Sequence, residues 1–116
     1  MNIEIKNPSV LKSILTYPAN PVLIDIISWL ADNHGITITE WFREQTHPND
    51  LHGLSPLRAS DVRSWVYDNP DKVCVEINKR WIYDPDRPHM KCALLHNSGQ
   101  GEHIHLQTHP RTVRVV

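Results

Sequence analysis

Near its C-terminal end the chain contains the stretch Gly101-Glu102-His103-Ile104-His105-Leu106-Gln107, which predicts a β-strand. Successive side chains of a strand point to opposite faces, so His103 and His105 are expected to share one face. The intervening Ile104 and Leu106 are expected to face a core. Two imidazoles on one face of a strand are arranged as metal ligands commonly are, and the stretch therefore indicates both a sheet and a site on it.

Around this stretch, periodicity and turn residues predict the other elements of the fold. Asn-Pro pairs mark the starts of two helices, and glycine or proline marks their ends. The first half of the chain predicts a helix from Asn20-Pro21 to His34-Gly35, a strand from Ile36 to Phe42, a surface loop from Glu44 to Pro56 and a strand from Leu57 to Ser64. A second helix is predicted from Asp68 to a point before Asp84-Pro85, with Val73, Ile77 and Trp81 on one face. A hairpin of the strands Met90 to His96 and His103 to Thr108 follows, and Thr112 to Val116 predicts an edge strand. This order favours an α+β fold in which about two helices pack on one side of a small antiparallel sheet.

Length and composition exclude several classes of protein. The length of 116 residues predicts one domain, 1-116, and the contents of 40% hydrophobic and 22% charged residues are typical of a globular chain. A formal net charge of -1 gives no basic surface, so no nucleic-acid partner is expected. No long apolar run or charged leader is present, which predicts no membrane partner, no signal peptide and synthesis in the cytoplasm. Cys74 and Cys92 are expected to be buried thiols rather than metal ligands.

The paired histidines need further ligands, and an upstream segment contains candidates of suitable chemistry. His52 and Asp61 supply an imidazole and a carboxylate, with His47 in the same loop as an alternative to His52. Together with His105 they would leave one coordination position for water, as zinc hydrolases do, so Zn²⁺ is the expected cofactor. Zinc would lower the pKa of bound water toward ~7. Without a metal, the histidine pair would lie on the solvent face of an edge hairpin.

A hydrolase also needs a base and a group that stabilises developing negative charge. Glu102 precedes His105 by three residues and is a candidate base, while His103 competes with it as base or transition-state stabiliser. Arg43 and Arg58 are candidates to hold a substrate carboxylate or an oxyanion, because a guanidinium binds carboxylates through two parallel hydrogen bonds.

These residues also resemble the motifs of a known enzyme group. His52, Arg58-Ala59-x-Asp61 and Glu102-x-x-His105, with Arg43 before the loop, are similar to motifs of the D-Ala-D-Ala peptidase, L-alanyl-D-glutamate endopeptidase and hedgehog-like zinc metallopeptidases, above all of their small phage and prophage types. The likeness runs from about Thr37 to Gln107. In that group the first histidine lies closer to the Asp than it does here, so a longer loop is expected in this chain.

The resemblance implies a role for each matching residue. It implies that His52, Asp61 and His105 bind zinc and that Glu102 acts as the general base. It also implies that Arg43 contacts the substrate or the oxyanion and that His103, the first member of the His-x-His pair, assists catalysis. The implied fold is hedgehog-like, and the implied reaction is cleavage of an amide bond in peptidoglycan stem or cross-link peptides by a phage-derived protein. Without a signal peptide, such a protein would reach the cell wall by phage lysis or inside a virion.

Two further classes compete with this interpretation. A catalytically inactive virion or tail assembly module could keep the fold and use zinc for stability alone. A cupin-like barrel also begins its metal motif with His-x-His, but it needs a later Glu and a further His in a later strand. The segment Gln107-Thr108-His109-Pro110 contains no such Glu, which argues against the barrel.

Overall fold

The computed structural model describes residues 2–42, 51–54, 56–97, 99 and 101–116. Within these ranges the chain forms three α-helices, one short 3-10 helix and seven strands. In chain order they are β1 (Ile3–Ile5), α1 (Pro8–Thr16), α2 (Pro21–Asn33), β2 (Ile36–Glu40), the 3-10 helix (Leu51–Gly53), β3 (Ala59–Arg63), α3 (Pro70–Arg80), β4 (Trp81–Ile82), β5 (Ala93–Asn97), β6 (Glu102–Gln107) and β7 (Val113–Arg114). A small sheet with helices, the predicted α+β class, is therefore confirmed.

The same local signal starts each of the three α-helices in the described part of the chain. An asparagine caps the helix and a proline occupies its first turn, where no backbone N–H is required. The side chains of Asn7, Asn20 and Asn69 accept hydrogen bonds from the amides of the first turn. The helices at Pro21 and Pro70 were predicted from this pattern, whereas α1 is an additional element.

Five strands form the main sheet in the order β1-β2-β3-β6-β5. β1 runs parallel to β2 and the remaining neighbours are antiparallel, so the sheet is mixed and not purely antiparallel as predicted. β7 pairs with β4 in a separate two-stranded sheet, so the predicted edge strand at Thr112 to Val116 does not extend the main sheet. Trp81 begins β4 instead of ending the helix, although its side chain is buried as expected.

One face of the main sheet packs against the helices. Ile104 and Leu106 of β6 are fully buried there, which confirms that they face the core. Buried residues of the core include Ile38 and Val62 from the sheet, Leu23, Ile26 and Leu30 from α2, and Val73 and Ile77 from α3. Strand alternation consequently turns His103, His105 and Asp61 to the face opposite to Ile104 and Leu106.

Two further expectations can be compared with the structure. Cys74 and Cys92 are buried free thiols, as predicted, and burial raises the pKa of Cys74 to about 11 and that of Cys92 to about 12. Across the described ranges, the helices are too short or too polar to cross a membrane.

Candidate metal site

Three side chains from separate segments converge on the face of the sheet opposite to the buried Ile104 and Leu106. Asp61 of β3 pairs directly with His105 of β6, and its Oδ1 lies 2.9 Å from Nδ1 of His105. The 3-10 helix places Nε2 of His52 at 3.4 Å from the same carboxylate oxygen. One potential ligand atom of each residue lies within 4.8 Å of the other two, so the group is close enough to hold a metal ion. The structure therefore brings together the three residues predicted as ligands.

The ring of His52 is oriented by a hydrogen bond on its outer side. Its Nδ1 lies 2.7 Å from the carbonyl oxygen of Trp41, which can only accept, so we assign the proton to Nδ1. Nε2 then faces the Asp61 carboxylate. Because the side chain is only 1% exposed, this orientation is held by packing as well as by the hydrogen bond.

A second outer hydrogen bond orients His105, through a residue that the sequence reasoning did not single out. The amide nitrogen of Gln107 donates to the carbonyl oxygen of Lys91 at 2.7 Å, which leaves the amide oxygen as an acceptor. That oxygen lies 3.2 Å from Nε2 of His105 and can accept its proton, while Nδ1 faces the Asp61 carboxylate. Metal-binding histidines are commonly fixed in this way by a partner on the outer nitrogen. Gln107 shares the strand face of His105, and this alternation was the signal that could have found it.

The electrostatics of the cluster favour a positive charge at its centre. Burial alone would raise the pKa of Asp61, but hydrogen bonds from His105 and His52 and their charges outweigh it and hold the pKa well below its ordinary value. An ion bound here would replace these hydrogen bonds, because Nδ1 of His105 and Nε2 of His52 can bind a metal beside the Asp61 carboxylate once those nitrogens have lost their protons. A divalent ion satisfies all three at once, so the donor set fits a metal.

His103 lies at the edge of this cluster and Glu102 does not reach it. Nε2 of His103 lies 3.6 Å from Oδ2 of Asp61, and its ring contacts that of His96 on β5 with centroids 5.4 Å apart. Glu102 is exposed and shares the face of Ile104 on β6, opposite to His105. The predicted role of Glu102 as a base therefore lacks the geometric support that His103 has.

The structure describes Arg58 but not the other two candidates, Arg43 and His47. Arg43 and His47 lie outside the described residues, so their predicted roles stay predictions. Arg58 donates from Nε to the carbonyl oxygen of Thr108 and from its terminal nitrogen to the hydroxyl of Tyr83. These bonds join the residue before β3 to the segments that follow β4 and β6, which gives Arg58 a structural role, and its role in binding substrate stays a prediction.

Comparisons with known proteins add no family assignment. A scan against protein-family models found no match. Searches of curated proteins and of solved structures found no match either.

Proposed function

We propose that this protein is a zinc-dependent peptidase that cleaves an amide bond in peptidoglycan stem or cross-link peptides. The observation that carries the proposal is the convergence of His52, Asp61 and His105, with both imidazoles oriented by outer hydrogen bonds. The motif resemblance supports the reaction class and the phage-derived context, with delivery to the cell wall by lysis or within a virion. It also supports a hedgehog-like variant of the α+β fold.

Zinc suits the donor set better than a hard cation does. Two imidazole nitrogens and one carboxylate oxygen are typical of catalytic zinc sites, which keep one position for water, whereas calcium and magnesium prefer sites made of oxygen. The burial of the ligands is uneven, since His52 is 1% exposed and His105 is 20% exposed. We therefore place the substrate on the β6 side of the cluster.

A bound zinc ion would supply Lewis acidity and a water of lowered pKa at this position. The protein residues would provide orientation and proton transfer. His103, whose side chain is 17% exposed, is close enough to Asp61 to accept a proton from water at the cluster and to deliver it to the leaving amine. Gln107 and the Trp41 carbonyl keep the two ligand rings from rotating while substrate binds.

A second candidate function is a zinc-stabilised module without catalysis, such as a virion or tail assembly protein. The exposed position of Glu102 on the core side of β6 favours it, because the base expected from the resemblance is not at the site. In this alternative His52, Asp61 and His105 would hold β3, β6 and the 3-10 helix together through the metal.

Zinc titration and peptide digestion test the proposal together. We expect one zinc ion per chain by calorimetry, and we expect the zinc-loaded protein to change the muropeptide profile of purified peptidoglycan. His103→Gln should keep zinc and lower turnover by about a hundredfold or more, the usual contribution of a general base. Glu102→Gln, which removes the competing base, should keep both.

The outcomes separate the two candidate functions. A protein that binds no zinc in stoichiometric amount contradicts both. Zinc binding with an unchanged muropeptide profile favours the non-catalytic module. A loss of turnover in Glu102→Gln but not in His103→Gln would show that the motif spacing, and not the strand geometry, identifies the base.

A further inference from the structure

An arginine lies beside the metal cluster on the same face of the sheet. Arg63 follows Asp61 by two positions in β3 and pairs directly with His103 of β6. Side chains two positions apart on a strand share a face and are separated by about 7 Å. Arg63 therefore belongs to the surface that a substrate at the cluster would cover.

The guanidinium of Arg63 is held over an exposed aromatic ring. Its Cζ lies 4.9 Å from the centroid of the Trp65 ring, and Trp65 is 73% exposed. A tryptophan that is so accessible, followed by the half-exposed Val66, forms an apolar surface next to a charge. Exposed aromatic surface beside a polar group is typical of a binding site.

Arg63 differs from the other arginines that stack on aromatic rings. In the part of the chain that the structure describes, Arg80 and Arg114 also stack on tryptophans, but each donates to a backbone carbonyl. Arg87 stacks on Tyr83 and donates to Asp84. No carboxylate or carbonyl among the described residues accepts a hydrogen bond from Arg63. Its donors are thus oriented by stacking and available to a ligand.

We infer that Arg63 and Trp65 form a subsite for a carboxylate of the substrate. The inference deepens the proposed peptidase function and rests on it for the position of the reacting amide. The backbone positions of Asp61 and Arg63 lie about 7 Å apart along β3, and the length of the Arg63 side chain adds to the reach of its guanidinium. An extended peptide spans about 3.3–3.6 Å per residue, which places the recognised carboxylate two to three residues from the amide at the metal. The substrate class is a short peptide with a terminal or side-chain carboxylate at that distance.

Calorimetry with two matched peptides tests the subsite. The probes are N-acetyl-trialanine with a free carboxylate and the same peptide with a C-terminal amide, titrated into zinc-loaded and metal-free protein and checked for integrity by mass spectrometry. Wild type should bind the acid about tenfold to a hundredfold more tightly than the amide, as expected for a charge-assisted hydrogen bond. Arg63→Ala should lose this ratio in both metal states, and Arg63→Lys should keep part of it.

The control is Arg114→Ala, which removes an equally stacked guanidinium from the two-stranded sheet and should keep the wild-type ratio. Acid binding should also change the fluorescence of wild type but not of Trp65→Phe, because Trp65 is the tryptophan at the subsite. An unchanged ratio in Arg63→Ala, or no ratio in wild type, overturns the inference. If zinc binding and digestion succeed while Arg63→Ala keeps the ratio, only the subsite fails. If zinc does not bind but an Arg63-dependent ratio persists, the peptidase proposal fails and the carboxylate subsite stands.

Discussion

Two groups of histidine and carboxylate in this molecule show how burial changes the chemistry of the same side chains. At the surface, Nε2 of His34 lies 2.7 Å from Oε2 of Glu76, with side chains that are 29% and 27% exposed. This pair joins two elements, the end of α2 and the middle of α3, by one hydrogen bond. The pair needs no third group, because water solvates the polar atoms of both side chains that do not take part in the hydrogen bond.

In the buried group, one carboxylate faces several imidazoles instead of one. The carboxylate of Asp61 faces three imidazoles, those of His52, His103 and His105, at 3.4, 3.6 and 2.9 Å. The outer nitrogens of His52 and His105 are already committed to acceptors, so protonating all the rings would place several positive charges around one buried negative charge. With a divalent ion bound, the neutral imidazoles would coordinate it through their inner nitrogens and the Asp61 carboxylate would offset part of its charge. The comparison teaches that the surface pair is a single hydrogen bond, whereas the buried cluster gathers enough donor atoms to hold a metal ion.

The largest effect should follow from removing the carboxylate of the buried cluster. Asp61→Asn should weaken zinc binding by more than about a hundredfold, since loss of an outer hydrogen-bond partner alone weakens metal sites by about 10–100-fold. Glu76→Gln makes the same chemical change in the surface pair and should leave zinc affinity unchanged. Calorimetric titration of both variants measures the contrast. Equal zinc affinity in wild type and Asp61→Asn would remove this residue from the ligand set.

Zinc should also stabilise the folded protein. An ion that binds only the folded state stabilises it by about 2.7 kcal/mol at a free concentration one hundred times its Kd. We therefore expect thermal unfolding at a higher temperature with zinc and a return to the metal-free value after chelation. The gain should shrink as the pH falls, because imidazoles bind metal only when deprotonated. Asp61→Asn should show little zinc-dependent gain, and a gain as large as in wild type would contradict a site centred on this carboxylate.

A smaller effect is expected when the outer partner of a ligand is removed. Gln107→Leu keeps much of the side-chain volume but deletes the acceptor that orients His105, so zinc affinity should fall by about 10–100-fold. The matched variant Gln107→Glu retains an acceptor at this position and should lose less. Because Gln107 also bonds to the Lys91 carbonyl, far-UV circular dichroism and the melting temperature of each variant should be recorded with its affinity. Wild-type affinity in Gln107→Leu would mean that packing alone orients the ring.

Local signals in the sequence predicted some elements of this fold and not others. The Asn-Pro caps and the apolar periodicity predicted α2 and α3. The helix at Asn7-Pro8 has the same cap and carries Val10, Leu11, Ile14 and Leu15 at helical spacing, so the local signals for it were present and were overlooked. β1 has three residues and pairs only in parallel with β2, a contact between segments separated by α1 and α2, which no local pattern reveals.

The candidate site was predictable in its ligand types but not in its geometry. His52, Asp61 and His105 could be named from their chemistry and the motif resemblance, whereas the direct pairing of Asp61 with His105 depends on the register between β3 and β6. Glu102 was assigned as base from a spacing of three residues in the related motif. In a strand that spacing places two side chains on opposite faces, so strand alternation already favoured His103.

The smallest effect should come from the surface pair, and it should depend on pH. The hydrogen bond from His34 is the main reason why the pKa of Glu76 is lowered; desolvation opposes it, and the nearby positive charges of His34, Lys72 and Arg80 add to it. Glu76→Gln should therefore cost about 0–1 kcal/mol of unfolding free energy near neutral pH, as exposed ion pairs do. A carboxylate with a lowered pKa stabilises the fold above its ordinary unfolded-state pKa and loses that effect as the pH falls through the lowered value.

Urea unfolding of wild type and Glu76→Gln at several pH values measures this small term. The difference between the two proteins should be present at pH 7 and disappear in acid, and zinc should leave it unchanged because the pair lies apart from the metal ligands. Asp61→Asn should behave in the opposite way, with a zinc-dependent difference from wild type that is large at pH 7. If Glu76→Gln proved as zinc-sensitive as Asp61→Asn, the distinction between the surface pair and the metal-binding cluster would be wrong.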